Sequence, residues 1–188
     1  SADIVAKNAG GYYSTLAAAV TAGDGETVVL LENVTECVTI ESGKNVTLDL
    51  NGKTLTGKNG NTIDNNGILT ILDKSENQTG MVVGVNFMKA DGKLGKGTAI
   101  TNETNAECTI DGGMFTREAY LASEHTVAQG NNHYTVHNKG VMTIAGGKVV
   151  NNADVNSLVG NFGTLNINGG EIEQVTYITV INKPGAVL

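Results

Sequence analysis

The sequence predicts an all-β protein: a parallel β-helix of about 22-residue coils with a short helix across its N-terminal end. Three observations carry that expectation. A unit of fixed form recurs along the chain, its apolar residues alternate with a period of two, and its turns are written with Asn and Gly-Gly. The unit is plainest in "AECTIDGGMF" (106–115), "GVMTIAGGKV" (140–149) and "GTLNINGGEI" (163–172). Such self-similarity constrains architecture before any strand or helix is assigned.

Aligned on one another, the units share a frame. An Asn (Asn102, Asn138, Asn161) precedes a short turn, then come apolar pairs at Cys108/Ile110, Met142/Ile144 and Leu165/Ile167. Double glycines follow at 112–113, 146–147 and 169–170, and the chain lands on Phe115, Val149 and Ile172. Alternation puts Leu165 and Ile167 on one face of a strand and their neighbours on the other. Glycine pairs permit a sharp bend, including φ > 0. Asn tolerates turn geometry and bonds nearby backbone, and successive Asn residues at one turn are placed to form a ladder. An earlier, degenerate copy begins at Asn65 with Leu69 and Ile71, but "DKSENQTG" replaces its double glycine. A last copy opens at "INKPGAVL". It stops before any Gly-Gly, so the expectation is a fragment of a longer protein, or a C-terminal edge paired end to end with another molecule.

One unit is too thin to bury its own apolar face, so units must stack. A period of two in Thr- and Val-rich segments excludes helical repeats. The leucine-rich consensus is missing, and a propeller blade needs roughly 40 residues. A β-sandwich remains the alternative. Towards the front, "ETVVLLENVTECVTIESGKNVTLDLNGKTLTG" reads as short strands broken at Glu-Asn, Ser-Gly and Asn-Gly. Before it, residues 12–23 predict a helix with Ser14 as N-cap and Gly23 as its stop, lying across the open end. Residues 26–188 supply the coils, so 1–188 form one domain.

Taken together, "YYSTLAAAVTAGDGETVVLLENVTE", "VTLDLNGKTLTG" and "GTLNINGGEI" resemble the right-handed parallel β-helix regions of surface proteins from Gram-positive bacteria. That fold is shared with the pectate-lyase-like superfamily. The resemblance implies a right-handed helix, an extracellular or cell-surface setting and adhesion to a host or cell-wall glycan or an extracellular protein. It supplies no catalytic residues.

Composition narrows the chemistry. A net charge of −7 and a pI near 4.9 argue against nucleic acid and anionic lipid as partners, and no run is apolar enough for membrane insertion. A pectate-lyase-like lyase, the enzymatic alternative, uses clustered acidic residues for Ca²⁺ and a basic proton abstractor. Here the Asp residues are scattered and Arg117 is the sole arginine. The motifs of β-helical polygalacturonases are missing, and Glu171 and Glu173 read as solvated carboxylates. His125, His133 and His137 have no metal-ligand spacing and read as exposed loop histidines. Neither a metal nor a cofactor is expected, and a non-enzymatic scaffold, adhesin or glycan-contacting module is.

Two adjacent coils carry insertions at the same point of the repeat, near 83–99 and 116–135. Insertions in stacked repeats emerge on one face, often the binding face. They gather Lys89, Lys93, Lys96, Arg117, Tyr120, His125, His133 and Tyr134 in a chain otherwise acidic and poor in aromatics, which suits an acidic or sugar ligand. Replacing Arg117, Tyr120 and Tyr134 is expected to leave folding intact. Cys37 and Cys108 fall about three coils apart, on the order of 14 Å at about 4.8 Å per coil, which excludes a disulfide.

Overall fold

The structure, a computed structural model, describes residues 3–119, 134–151, 157–174 and 178–188. Nearly all of its regular structure is strand, arranged in three parallel ladders. The first ladder stacks Glu26–Leu30, Asn45–Asp49, Ile68–Leu72, Glu107–Ile110, Val141–Ile144 and Thr164–Ile167. The second stacks Val34–Thr35, Thr54–Thr56, Met81–Gly84, Met114–Arg117, Lys148–Asn151 and Glu171–Gln174. Val38–Ile40, Ile63–Asn65, Ile100–Asn102, Tyr134–Asn138, Ser157–Asn161 and Val180–Asn182 make the third. The chain visits the ladders in that order six times, so each repeat gives one strand to each.

Register follows the sequence frame. Val46, Leu69, Cys108, Met142 and Leu165 lie directly above one another, as do Leu48, Ile71, Ile110 and Ile144. Leu55, Val82, Phe115 and Val149 form a buried row in the second ladder, and Ile63, Ile100, Val136 and Val159 one in the third. These rows merge into one apolar core. Each fully buried aliphatic side chain contributes about 1.5–3 kcal/mol relative to an exposed one. Ile167 departs from the expected pattern: it shares Leu165's parity but is 43% exposed, because no described strand covers it.

The Asn ladder is real and continuous. Asn65, Asn102, Asn138 and Asn161 each donate from Nδ2 to the Oδ1 of the next Asn, at 2.8, 2.9, 2.9 and 2.7 Å, ending on Asn182. The same amides donate to the backbone carbonyls of Glu107, Val141, Thr164 and Val187. Four of the five Asn side chains are fully buried. A buried amide is tolerated only when bonded, and here each repeat satisfies the one before it.

The glycines divide their labour. Gly113, Gly147 and Gly170 sit at φ of +87, +71 and +81°, the left-handed region. Gly140 and Gly163 instead allow close approach, since a Cβ there would lie 2.3 and 2.1 Å from a carbonyl oxygen of the preceding repeat. Where "DKSENQTG" replaces the glycine pair, the buried Asp73 carboxylate organises the turn. It accepts from the N–H groups of Gly52, Ser75 and Gly80 at 3.0, 3.0 and 2.6 Å. Burial works against its charge, but the Ser75 side chain beside it and these N–H donors outweigh it and hold the carboxyl below its usual range.

At the N-terminal end the expected helix is shorter. It spans Leu16–Thr21, with Thr15 rather than Ser14 as N-cap. Thr15 is extended and its hydroxyl accepts from the Ala18 N–H at 3.1 Å. The Glu36 carboxylate takes the N–H groups of Leu16 and Ala17 at 2.8 and 3.2 Å. Gly11–Tyr13, assigned in part to the helix by sequence, pairs antiparallel with Ala6–Asn8, which itself pairs antiparallel with Glu26–Leu30. The two tyrosines, good strand formers, go to that edge. Leu16, Ala19 and Val20 bury against the core.

At the other end, Val180–Asn182 extends the third ladder and Val187 bridges in parallel to Thr164. Residues 180–188 continue the stacking rather than folding back across it.

Two outcomes follow. Asn138→Ala should destabilise the protein by roughly 3 kcal/mol, because it strands several buried partners. Asn182→Ala, at the exposed end of the ladder, should cost under about 1 kcal/mol by the same denaturant titration. Both cysteines are free. Cys108 is buried, which pushes its thiol up to about 12, whereas Cys37 is half-exposed. A thiol reagent should therefore modify one cysteine in the native protein and two after unfolding.

Candidate functional site

Both insertions fall, in chain order, between a strand of the second ladder and a strand of the third. The first forms an antiparallel hairpin, Asn86–Met88 with Leu94–Lys96, turned at Gly92 with φ +78°. Gly95 permits it, because a Cβ there would lie 2.4 Å from the Phe87 ring. Lys89 and Lys93 are exposed at the tip, where the Lys89 N–H donates to the Lys93 carbonyl at 2.9 Å. Lys96 is half-buried on the arm opposite Asn86. Met88 is 70% exposed.

Arg117 is not a surface residue. It is 4% exposed, donating from Nε to the Gly97 carbonyl at 3.0 Å and from Nη2 to the Asn86 side chain at 2.6 Å. Those two acceptors bracket the hairpin, so the guanidinium fastens its base. Glu118 adds a second fastening by accepting the Asn86 N–H at 2.7 Å. The inward position of Arg117 was available from the sequence, since it has the parity of the landing residue Phe115.

Tyr134 belongs to the third ladder and is 2% exposed. Its ring lies over Gly160, where a Cβ would come within 2.7 Å of three ring carbons. It packs with His137 and Phe162 at centroid distances of 5.0 and 5.9 Å, and Lys183 Nζ sits 5.5 Å from the Phe162 centroid. Replacing Arg117 or Tyr134 therefore removes buried packing, contrary to the sequence expectation. Tyr120, His125 and His133, with residues 120–133 of the second insertion, lie outside the described residues.

His137 is likewise a strand residue, not the loop histidine expected. It stands in register with Thr101 and Gly160, beside the Lys139–Glu103 ion pair at 2.9 Å. Burial, reinforced by Lys139 and opposed by Glu103, lowers it to about 4. Asp64, in register with Thr101, is raised, chiefly by burial.

Stacking also assembles features that sequence spacing hides. Lys58 is exposed in the loop just below the hairpin base, where Thr98 N–H bonds the Asn61 side chain and Gly97 abuts Gly60. A groove of about 680 Å³ runs over the glycine turns, lined by Met81, Met114, Lys148 and Glu171 among others. Lys148 and Glu171 are ion-paired across it at 2.9 Å. Among the described residues no cluster of three or more His, Cys, Asp or Glu could hold a metal, and no helix is long and apolar enough to cross a membrane. Comparison with protein-family models, curated proteins and solved structures finds no match for this chain.

The depressed His137 has a measurable consequence. Its unfolded form binds a proton near pH 6.5 and its folded form only near 4. Stability from this group is therefore flat above about pH 6.5 and falls between there and 4, by up to about 2 kcal/mol after allowance for its partial exposure. Asp64 works in the opposite sense, gaining stability as it protonates in the fold. Thermal melts across that range should show a shallower decline for His137→Gln than for the unaltered chain.

Proposed function

We propose that the three ladders are the faces of a right-handed parallel β-helix, and that the chain serves as a non-enzymatic extracellular or cell-surface module. In this reading it acts as a scaffold or adhesin that contacts a host or cell-wall glycan, or an extracellular protein, through the face carrying the insertions. Support for the handedness comes from the resemblance in sequence and from the strong right-handed preference of connections between parallel strands in one sheet. The extracellular setting rests on the resemblance.

The observation that carries the functional reading is the use made of Arg117. A lyase of the pectate-lyase type uses a basic group, usually an arginine, facing its substrate, and here the sole arginine is spent inside the protein, on Gly97 and Asn86. The recurrent residues are likewise committed to stacking: Asn to the ladder, Gly to turns, apolar pairs to the core. The hairpin and its neighbours lie outside that commitment and are available for recognition.

A panel of acidic and neutral polysaccharides tests this directly. Incubation should release no unsaturated uronate and no new reducing ends, while a glycan array or an extracellular-matrix panel should give saturable binding. Sustained turnover on any polysaccharide would replace the module with a lyase or hydrolase.

A further inference from the structure

We infer that the hairpin and the loop beneath it form a docking surface for an acidic polysaccharide, a deepening that rests on the contact-module reading above. Charge is the first ground. Between Asn86 and Gly97 the chain carries Lys89, Lys93 and Lys96 against Asp91 alone, a balance of +2 on a protein of net −7. Stacking adds Lys58 at the base of the same corner, together with the Glu118 carboxylate on the Asn86 N–H, which leaves the corner's balance at +2. At physiological salt, charges interact over only about 8 Å, so a polymer segment reaching this corner meets the local lysines rather than the net charge. The Lys93–Asp91 pair, 3.8 Å apart with both side chains more than half exposed, does little to neutralise it.

Rigidity is the second ground. Lys89, Lys93 and Lys96 are borne by a hairpin fastened through Arg117 and Glu118, so less ordering entropy is lost on binding than for a free loop. Layout identifies the occupant. Lys58 lies at the base, Lys96 on the arm, and Lys89 and Lys93 at the tip, three residues beyond Asn86 or on the order of 10 Å at strand spacing. Spaced cations without a convergent pocket hold a single small anion poorly and a chain of repeated anions well. A membrane is the poorer fit: the cations run along the hairpin, and Met88 is the single large apolar side chain exposed at its tip.

Binding to dextran sulfate, with neutral dextran as control, tests the inference on the full chain by calorimetry at two salt concentrations. The expected result is retention by dextran sulfate alone, weakening as salt rises. A triple variant, Lys58→Gln, Lys89→Gln and Lys93→Gln, should bind at least tenfold more weakly at an unchanged melting temperature. The matching Lys→Arg variant should bind normally. Absence of binding to dextran sulfate, or equal binding by the glutamine variant, would overturn the assignment, as would capture by anionic vesicles or a DNA duplex instead. Undiminished glycan-array binding by the glutamine variant would remove the polyanion surface yet leave the contact-module reading standing.

Discussion

A strand of three to five residues with one or two inward side chains has no stability of its own. It needs a neighbour above and below to pair its backbone and cover its apolar face. Parallel, in-register stacking answers both needs at once. The N–H groups of Glu107, Val141 and Thr164 reach carbonyls of Gly67, Ala106 and Gly140, one repeat back each time. The inward rows Leu69–Cys108–Met142–Leu165 and Ile71–Ile110–Ile144 are then buried along their whole length. The Asn ladder extends the same logic to side chains. Each buried amide is satisfied by the next repeat, so a slip of one residue in register would strand the whole column and turn every apolar pair outward.

That constraint decides where variation is permitted. Between the first and second ladders the turns abut the repeat below, and a Cβ at Gly146 or Gly169 would already come within 2.7 or 2.4 Å of a carbonyl oxygen. Even the long "DKSENQTG" turn is drawn in by Asp73. The chain lengthens instead in the connection from the second ladder to the third, where the hairpin projects from a base that still abuts the repeat below, at Gly97 against the Gly60 carbonyl. The hairpin is not loosely appended: the inward-facing Arg117 ties it to the stack, converting an interruption of the repeat into a fixed projection.

The frame was legible because stacking forces identity. Asn65, Asn102, Asn138, Asn161 and Asn182 must all be Asn for the ladder to run, and Gly113, Gly147 and Gly170 must all take positive φ. Singular solutions were harder to read. Tyr134 lies over the outer face of the third ladder because Gly160 leaves room, and a glycine inside a strand was the one available clue. The Glu36 cap on Leu16 and Ala17 joins residues 20 and 19 apart and has no local signature. Thr15 displaced Ser14 as N-cap because Tyr13 was already committed to the edge strand. Composition singled out Lys89, Lys93 and Lys96, which the structure places on the hairpin. It misassigned Arg117 and Tyr134, whose types suit a binding surface but whose strand positions turn them towards packing.

The register of the whole stack depends on the Asn column being bonded end to end. Exchange of Asn side-chain amide protons, followed by NMR in deuterated solvent, measures this most directly. The amides of Asn65, Asn102, Asn138 and Asn161 should be protected to nearly the degree of the strand backbone, while those of exposed Asn59 and Asn66 exchange at once. Rapid exchange at Asn102 and Asn138, alongside slow backbone exchange in the ladders, would contradict it.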